Sequence, residues 1–309
     1  MRTGRASALT DTGRRRPQNE DTFVCDPPLF AVADGVGGAQ AGEIASRLAA
    51  AALEERRPDA LGEDTLAALL HEANTRIYRR SLDDPAAAGM GTVITALLVD
   101  DAAGTLAVGH VGDSRAYRVR DGELEQLTSD HSLVGELVRA GTLSTEEAEQ
   151  HPHRSVITRA VGTEASVEVD TLTLTMTPGD IYLICSDGLT DLVRDEQIAE
   201  LIATAENDPD AAAEALVDAA NRAGGVDNIT VVLFEVLEGE PPPTPDPAGE
   251  PDDDTMEQAL ESPVVEPVVE PVVPVRRHGA GSGGRWLALA VIVLAAAVAA
   301  LVVWWSLKR

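Results

Sequence analysis

The sequence predicts an α+β fold in which antiparallel sheet is covered by antiparallel helices. Three observations carry this. The run RAYRVRDGELEQL alternates on either side of Asp121-Gly122, which reads as the two-residue turn of a hairpin. TPGDIYLI sets a Pro178-Gly179 turn directly before another apolar run. The amphipathic segments come in sequence-adjacent pairs between groups of strands. A doubly wound parallel sheet would alternate single strands with single helices instead.

Taken in order, short apolar runs predict strands over 22–26 and 29–33, then an alanine-rich helix over 41–56 and a second helix over 64–80. Strands follow over 93–99, 105–111, 115–120 and 123–127, the last two being the hairpin. Two short helices are predicted over 131–140 and 144–150. Strands over 169–175 and 181–185 flank the Pro-Gly turn. A helix pair over 195–204 and 209–223 and a last strand over 229–236 complete the series.

The 309 residues allow one large domain or two modest ones, and composition divides them. Residues 1–237 look globular. Residues 238–284 form a linker whose stretch 238–275 is rich in Pro and acid and carries no Lys, Arg or aromatic residue. Such a stretch cannot bury a core. Its PVVE repeat at Pro263 and Pro267 reads as a stiff polyproline-like spacer. From Trp286 to Leu307 there is no charge, enough to span a bilayer, with Trp286, Trp304 and Trp305 at the two ends where indoles prefer the interface. The expectation is a transmembrane helix over 285–307 and a two-residue tail, 308–309. Arg276, Arg277 and Arg285 precede the span, which favours that side as cytoplasmic. The protein is therefore expected to be a single-pass, tail-anchored protein of the cell membrane with its catalytic domain in the cytoplasm.

The net charge of -28 excludes a phosphate-tracking nucleic-acid binder. Cys25 and Cys185 make no disulfide framework and read as structural thiols in a reducing compartment.

Four times an acid stands at the boundary of a buried apolar run. FAVADG delivers Asp34, LAVGHVGDSR delivers Asp113, IYLICSDG delivers Asp187, and Asp227 precedes ITVVLFEV. One such acid is ordinarily a cap or a turn former. Four, brought together by one sandwich, would repel one another and call for cations. Oxygen-only ligands select Mg²⁺ or Mn²⁺, and no His/Cys set has zinc spacing. Gly35 and Gly188 directly follow two of these acids, where a missing side chain lets the backbone come close to a metal. ADGVGGAQAG is not a dinucleotide loop, because Gln40 stands where the third glycine belongs.

With DTGRRRPQNED at 11–21, ADGVGG from Ala33, GMGT at 89–92, GHVGDSRAYR at 109–118, TSDHSLV at 128–134, HPHRSVITRAVG at 151–162, ICSDGLTD at 184–191 and DNITVV at 227–232, the chain resembles the PPM (PP2C-type) metal-dependent protein serine/threonine phosphatases, most of all the bacterial ones. The resemblance covers residues 7–237. It implies a four-layer α-β-β-α sandwich of two antiparallel sheets flanked by helix pairs. It implies that Asp34 bridges two metals and that the Gly35 carbonyl binds one of them. Asp187 and Asp227 would complete the second site, and Asp113 with Asp187 would hold a third ion. Glu20 or Asp21 would touch the ions directly or through one more layer, and Arg16 would grip the substrate phosphate. Residues 131–162 would form a mobile flap beside the site. The implied cofactors are two or three Mn²⁺ or Mg²⁺ ions, and the implied catalytic set is Arg16, Asp34, Asp187 and Asp227.

The implied reaction is hydrolysis of phosphoserine and phosphothreonine on proteins by a hydroxide held between two dications, without a phosphoenzyme. The chain departs from the pattern in one respect. Relatives often carry a histidine on or a few residues after the aspartate-glycine pair; here Val36 and Ala39 stand there. His131 and His153 read as structural. The expected partners are phosphoproteins, including serine/threonine kinases at the membrane, and the catalytic domain is expected to be monomeric. An alternative from another class is a pseudophosphatase or phosphoprotein-binding membrane scaffold, which missing metal acids would mark; all of them are present.

Overall fold

A computed structural model describes residues 1–37, 41–55 and 60–239. Most of the linker and all of the transmembrane span and tail expected from the sequence lie outside the described residues. Among the described residues, no helix is long and apolar enough to cross a membrane.

Among the described residues, ten strands form two five-stranded antiparallel sheets. The first contains β1 (Arg2–Asp11), β10 (Ile229–Leu237), β9 (Ile181–Cys185), β6 (Arg115–Arg120) and β7 (Glu123–Gln126), in that spatial order. The second runs β2 (Asp21–Asp26), β3 (Leu29–Val36), β4 (Gly91–Asp100), β5 (Thr105–Val111) and β8 (Asp170–Thr175). The hairpin predicted at Asp121-Gly122 is present: both residues take positive φ, 53° and 82°, and β6 pairs with β7 from Arg120↔Glu123. Positive φ at both central residues matches the twist of the flanking strands. At Pro178-Gly179 the glycine has φ 94° and the Asp180 amide donates to the Thr177 carbonyl at 3.0 Å, closing the turn before β9.

The inner strands read as unbroken apolar runs because both of their faces are buried. In β3, Phe30 and Val32 face the space between the sheets, while Ala31 and Ala33 face helices. In β10, Val232 and Phe234 face inward, while Val231 and Leu233 face the opposite helix layer. The Phe30 and Phe234 rings stack at 4.2 Å between the sheets. Outside the second sheet lie α1 (Ala41–Glu54) and α2 (Glu63–Asp83), which bury Ala45, Ala49, Leu66 and Leu70 against it. Outside the first lie α6 (Asp195–Thr204) and α7 (Pro209–Arg222), which bury Ile198, Ile202, Leu216 and Ala220. Three apolar clusters thus separate four layers. The Asp208 carboxylate caps α7 through the amides of Asp210 and Ala211, with Pro209 in the first turn.

The longer elements follow the sequence pattern with one clear exception: β1 is not legible in it. RTGRASALTD has a glycine and two arginines and no alternation, yet it pairs with β10 from Arg2↔Leu237 to Asp11↔Ile229. Between β7 and β8 in the chain come two short helices packed on each other, α3 (Leu133–Arg139) and α4 (Thr145–Glu149), each started by a serine cap, Ser132 and Ser144. A four-residue helix, α5 (Asp187–Thr190), follows β9.

Candidate active site

The ends of four strands, β2, β3, β9 and β10, meet at one end of the sandwich. β2 and β3 pair so that Asp21 faces Asp34 across the strands. The Thr92 hydroxyl of β4 donates to the Asp34 carbonyl at 2.6 Å. β9 ends at Cys185, and Ser186 then leads Asp187 into the first turn of α5; the Ser186 amide donates to the Thr230 carbonyl of β10 at 3.0 Å. Asp227 stands just before β10. Its neighbour Asn228 ties the preceding loop down: Nδ2 donates to the carbonyls of Thr12 and Gln18, and Oδ1 accepts from the Glu20 amide.

The acids frame an open cleft of about 320 Å³, lined among others by Arg16, Glu20, Asp34, Gly35, Asp187 and Asp227. Six of the residues expected from the sequence are therefore together. Asp21 lies behind the cleft, buried under Asp34, where its Oδ2 accepts from the hydroxyls of Ser186 at 2.9 Å and Thr230 at 2.6 Å. Asp113 is buried in the β5–β6 turn and does not line the cleft, but it faces Asp187 electrostatically. Its turn depends on Gly112, which has φ 117°; a Cβ there would meet the Val93 Cβ at 2.1 Å.

Gly35 and Gly188 also have a local packing reason. Neither takes a positive φ. A Cβ on Gly35 would meet the Gly42 carbonyl oxygen of α1 at 2.2 Å, and one on Gly188 would meet the Asn228 carbonyl oxygen at 1.9 Å. Both are required by close backbone packing that brings α1 and β10 against the site.

Electrostatics ties the acids into one group. Burial, and then the charges of Asp21, Asp187, Asp113 and Asp227, hold the Asp34 carboxyl well above the usual range. Burial, and then Asp113, Asp191, Asp227 and Asp21, do the same to Asp187. Burial pushes Asp113 up to about 7 and Asp21 to about 6. One oxygen of Asp187 and one of Asp21 are buried without a hydrogen-bond partner. Orphaned carboxylate oxygens and converging like charges are what a hard dication would relieve. Among the described residues, no three acids, histidines or cysteines close into a ready-made cage.

Arg16 stands at the cleft, as expected, with its Nη2 donating to Asp227 Oδ2 at 2.6 Å. From the flap region, Ser155 and Ile157 reach the cleft wall. The bridge Ser132↔Ile157 closes that region on itself, and Thr92↔Val161 ties it to β4. Among the described residues, no histidine lines the cleft. His131 is buried elsewhere: its Nδ1 accepts from the Gly112 amide at 3.0 Å, so Nε2 donates to Asp170 at 3.2 Å.

Sequence reasoning missed Asp191, which lines the cleft, is pushed upward by burial and pairs with Arg154 at 3.5 Å. Its signal was available, since it follows Asp187 by one helical turn and so shares a face with it. It also missed the hydroxyls of Ser186 and Thr230, which sit in strand ends with no local signature.

The family described as protein phosphatase 2C matches residues 19–219. The serine/threonine protein phosphatase PstP of Mycobacterium tuberculosis is 44% identical over 240 residues, 76% of this chain and 45% of its own length. The chain thus spans about half the length of that curated relative. The serine/threonine phosphatase stp of Listeria monocytogenes is 37% identical over 242 residues, 74% of this chain and 95% of its own. A crystal structure of the catalytic domain of PstP in complex with two manganese ions matches with a TM-score of 0.69 at 39% identity, covering 76% of this chain and 98% of that one.

Proposed function

This chain belongs to the protein phosphatase 2C family, and on that premise we propose that it is a metal-dependent protein serine/threonine phosphatase acting on phosphoproteins at a membrane. The observation that carries the reading is the gathering of Asp34, Asp187, Asp227 and Arg16 on one cleft.

Asp34, Asp187 and Asp227, with the Gly35 carbonyl and Glu20 beside them, would hold two Mn²⁺ or Mg²⁺ ions, and Asp113 with Asp187 a third. The manganese in the related PstP structure supports this choice. When bound, such ions lower the pKa of water toward neutrality and offset the charge of a phosphoryl group. The chain's own residues do the rest. Asp21, held by Ser186 and Thr230, fixes the strand end that carries Asp34. Asn228 fixes the loop that carries Arg16 and Glu20. The Arg16 guanidinium offers a planar fork of donors to phosphate oxygens and balances charge that grows during transfer. Val36, directly after the Asp34–Gly35 pair, can neither give nor take a proton.

The expected span over 285–307 would tether this domain near membrane-bound serine/threonine kinases, raising effective concentration rather than affinity. The test is hydrolysis of a phosphothreonine peptide with Mn²⁺ present. Full activity in excess chelator, or in an Asp34→Ala/Asp187→Ala double variant, overturns the reading.

A further inference from the structure

Asp227 has two claims on it. Its Oδ1 accepts from the Asn228 amide at 2.8 Å, and its Oδ2 accepts from Arg16 Nη2 at 2.6 Å. The backbone around Arg16 is pinned to the same strand start. The Arg14 amide donates to the Gly225 carbonyl at 2.7 Å, and Asn228 holds the carbonyls of Thr12 and Gln18. The Arg16 side chain is 51% exposed, so it can leave Asp227 by rotamer changes alone, without moving the loop. Its charge lies in the field of Glu20 and Asp34 as well as Asp227, the same carboxylates that surround the proposed cation sites.

We propose that Arg16 and a divalent cation compete for the Oδ2 edge of Asp227, so that loading the site with metal releases Arg16 to bind the substrate phosphate. The proposal rests on reading Asp227 as a metal ligand. A guanidinium and a dication brought to one carboxylate oxygen repel each other, while the dication attracts that oxygen more strongly. The Arg16–Asp227 pair is half-exposed and therefore weak enough to be displaced. Arg16 then serves as a stand-in charge that quiets the acid cluster, and as the phosphate clamp once displaced. The binding order follows: ions first, phosphate second. By linkage, whatever draws Arg16 away from Asp227 also favours the cation.

Calorimetric titration of the full-length chain in detergent with MnCl₂ tests this without reference to turnover. Arg16→Met is expected to bind Mn²⁺ about two- to fivefold more tightly than wild type, the size of an exposed ion pair. Arg15→Met removes a neighbouring charge that makes no such contact and is expected to leave the affinity unchanged. On the wild-type chain, saturating Mg²⁺ is expected to speed phenylglyoxal labelling of Arg16 severalfold, read by peptide mass spectrometry, and to leave Arg15 labelling unchanged. Equal Mn²⁺ affinity in wild type and Arg16→Met, equal tightening in both variants, or Arg16 labelling insensitive to Mg²⁺ each overturn the competition. A wild-type chain that binds no Mn²⁺ overturns the metal reading itself, which separates the two failures.

Discussion

Arg115 and Asp187 both lie at ends of the first sheet, within the electrostatic reach of several acids, yet their surroundings are opposites. Arg115 donates through Nε and Nη2 to both oxygens of Asp130 and through Nη1 to the Tyr117 hydroxyl, which in turn donates to Asp195 at 3.0 Å. Burial works against its charge, but Tyr117 and Asp130 raise it above the ordinary value. Close by, His110 is equally settled. Its Nε2–H donates to the Ser129 carbonyl, so Nδ1 accepts from the Thr95 hydroxyl at 2.8 Å. At the cleft, Asp187 keeps a buried oxygen with no partner and faces three or more carboxylates. Most buried polar groups retained for the fold are satisfied, although Arg118 Nε and Asn221 Oδ1 are also buried without a partner. A carboxylate left short of partners and crowded by other carboxylates, as Asp187 is, marks a place where the protein reserves interaction for something it binds. The contrast separates two kinds of buried charge that sequence composition alone treats as the same.

The largest expected effect breaks the cleft. Asp187→Ala should lower phosphopeptide hydrolysis by about a thousandfold or more, the several kcal/mol that a dication contributes to transition-state charge. In chelator, the same variant should be more stable than wild type, since it removes a carboxylate held well above its usual range. A melting curve checks it; a drop in stability there would erase the contrast with Arg115.

Next in size is a pH effect on the settled side. Burial, and then His131, lower His110 from 6.5 to about 4. The unfolded chain therefore takes up a proton that the folded chain refuses as pH falls from 6.5 towards 4. Stability is full above the unfolded value and falls through that window by about 3 kcal/mol. Urea titrations at pH 7 and pH 4.5 should show the slope, and His110→Gln should flatten it.

Arg115→Met leaves Asp130 without its fork and should cost about 2–3 kcal/mol, less than a fully buried pair because both groups are partly exposed. Replacing both, Arg115→Met with Asp130→Leu, should recover part of that loss, which a double-mutant cycle would register.

The smallest effect sharpens the boundary between the two regions. Thr230→Val removes one of the two hydroxyl donors that hold Asp21. It should cost about 1–2 kcal/mol by denaturant titration and leave the secondary structure intact.

Much of the fold was legible because its inner strands are buried on both faces and its turns use residues with specific backbone demands, Asp121-Gly122 and Pro178-Gly179. The edge strand β1 was not, because its apolar residues are few and its place depends on hydrogen bonds to a strand more than two hundred residues away. At the site, Asp34, Asp187 and Asp227 stood out as acids ending or preceding apolar runs. Asp113 showed the same local signal but lies off the cleft wall, since local pattern does not report which way a turn presents its side chain. Asp191 was passed over although one helical turn separates it from Asp187.

Apart from the edge strand β1, the amino-acid sequence by itself determined the main strands and helices and which carboxylates end them, because backbone preference and apolar periodicity act over a few residues. Only the tertiary structure decided which of those carboxylates share a cleft, which keep an unpartnered oxygen, and that Arg16 reaches across to Asp227. Those outcomes depend on distances between residues far apart in the chain. Such distances are set by the packing of two sheets against each other and by backbone contacts such as Gly35 on Gly42.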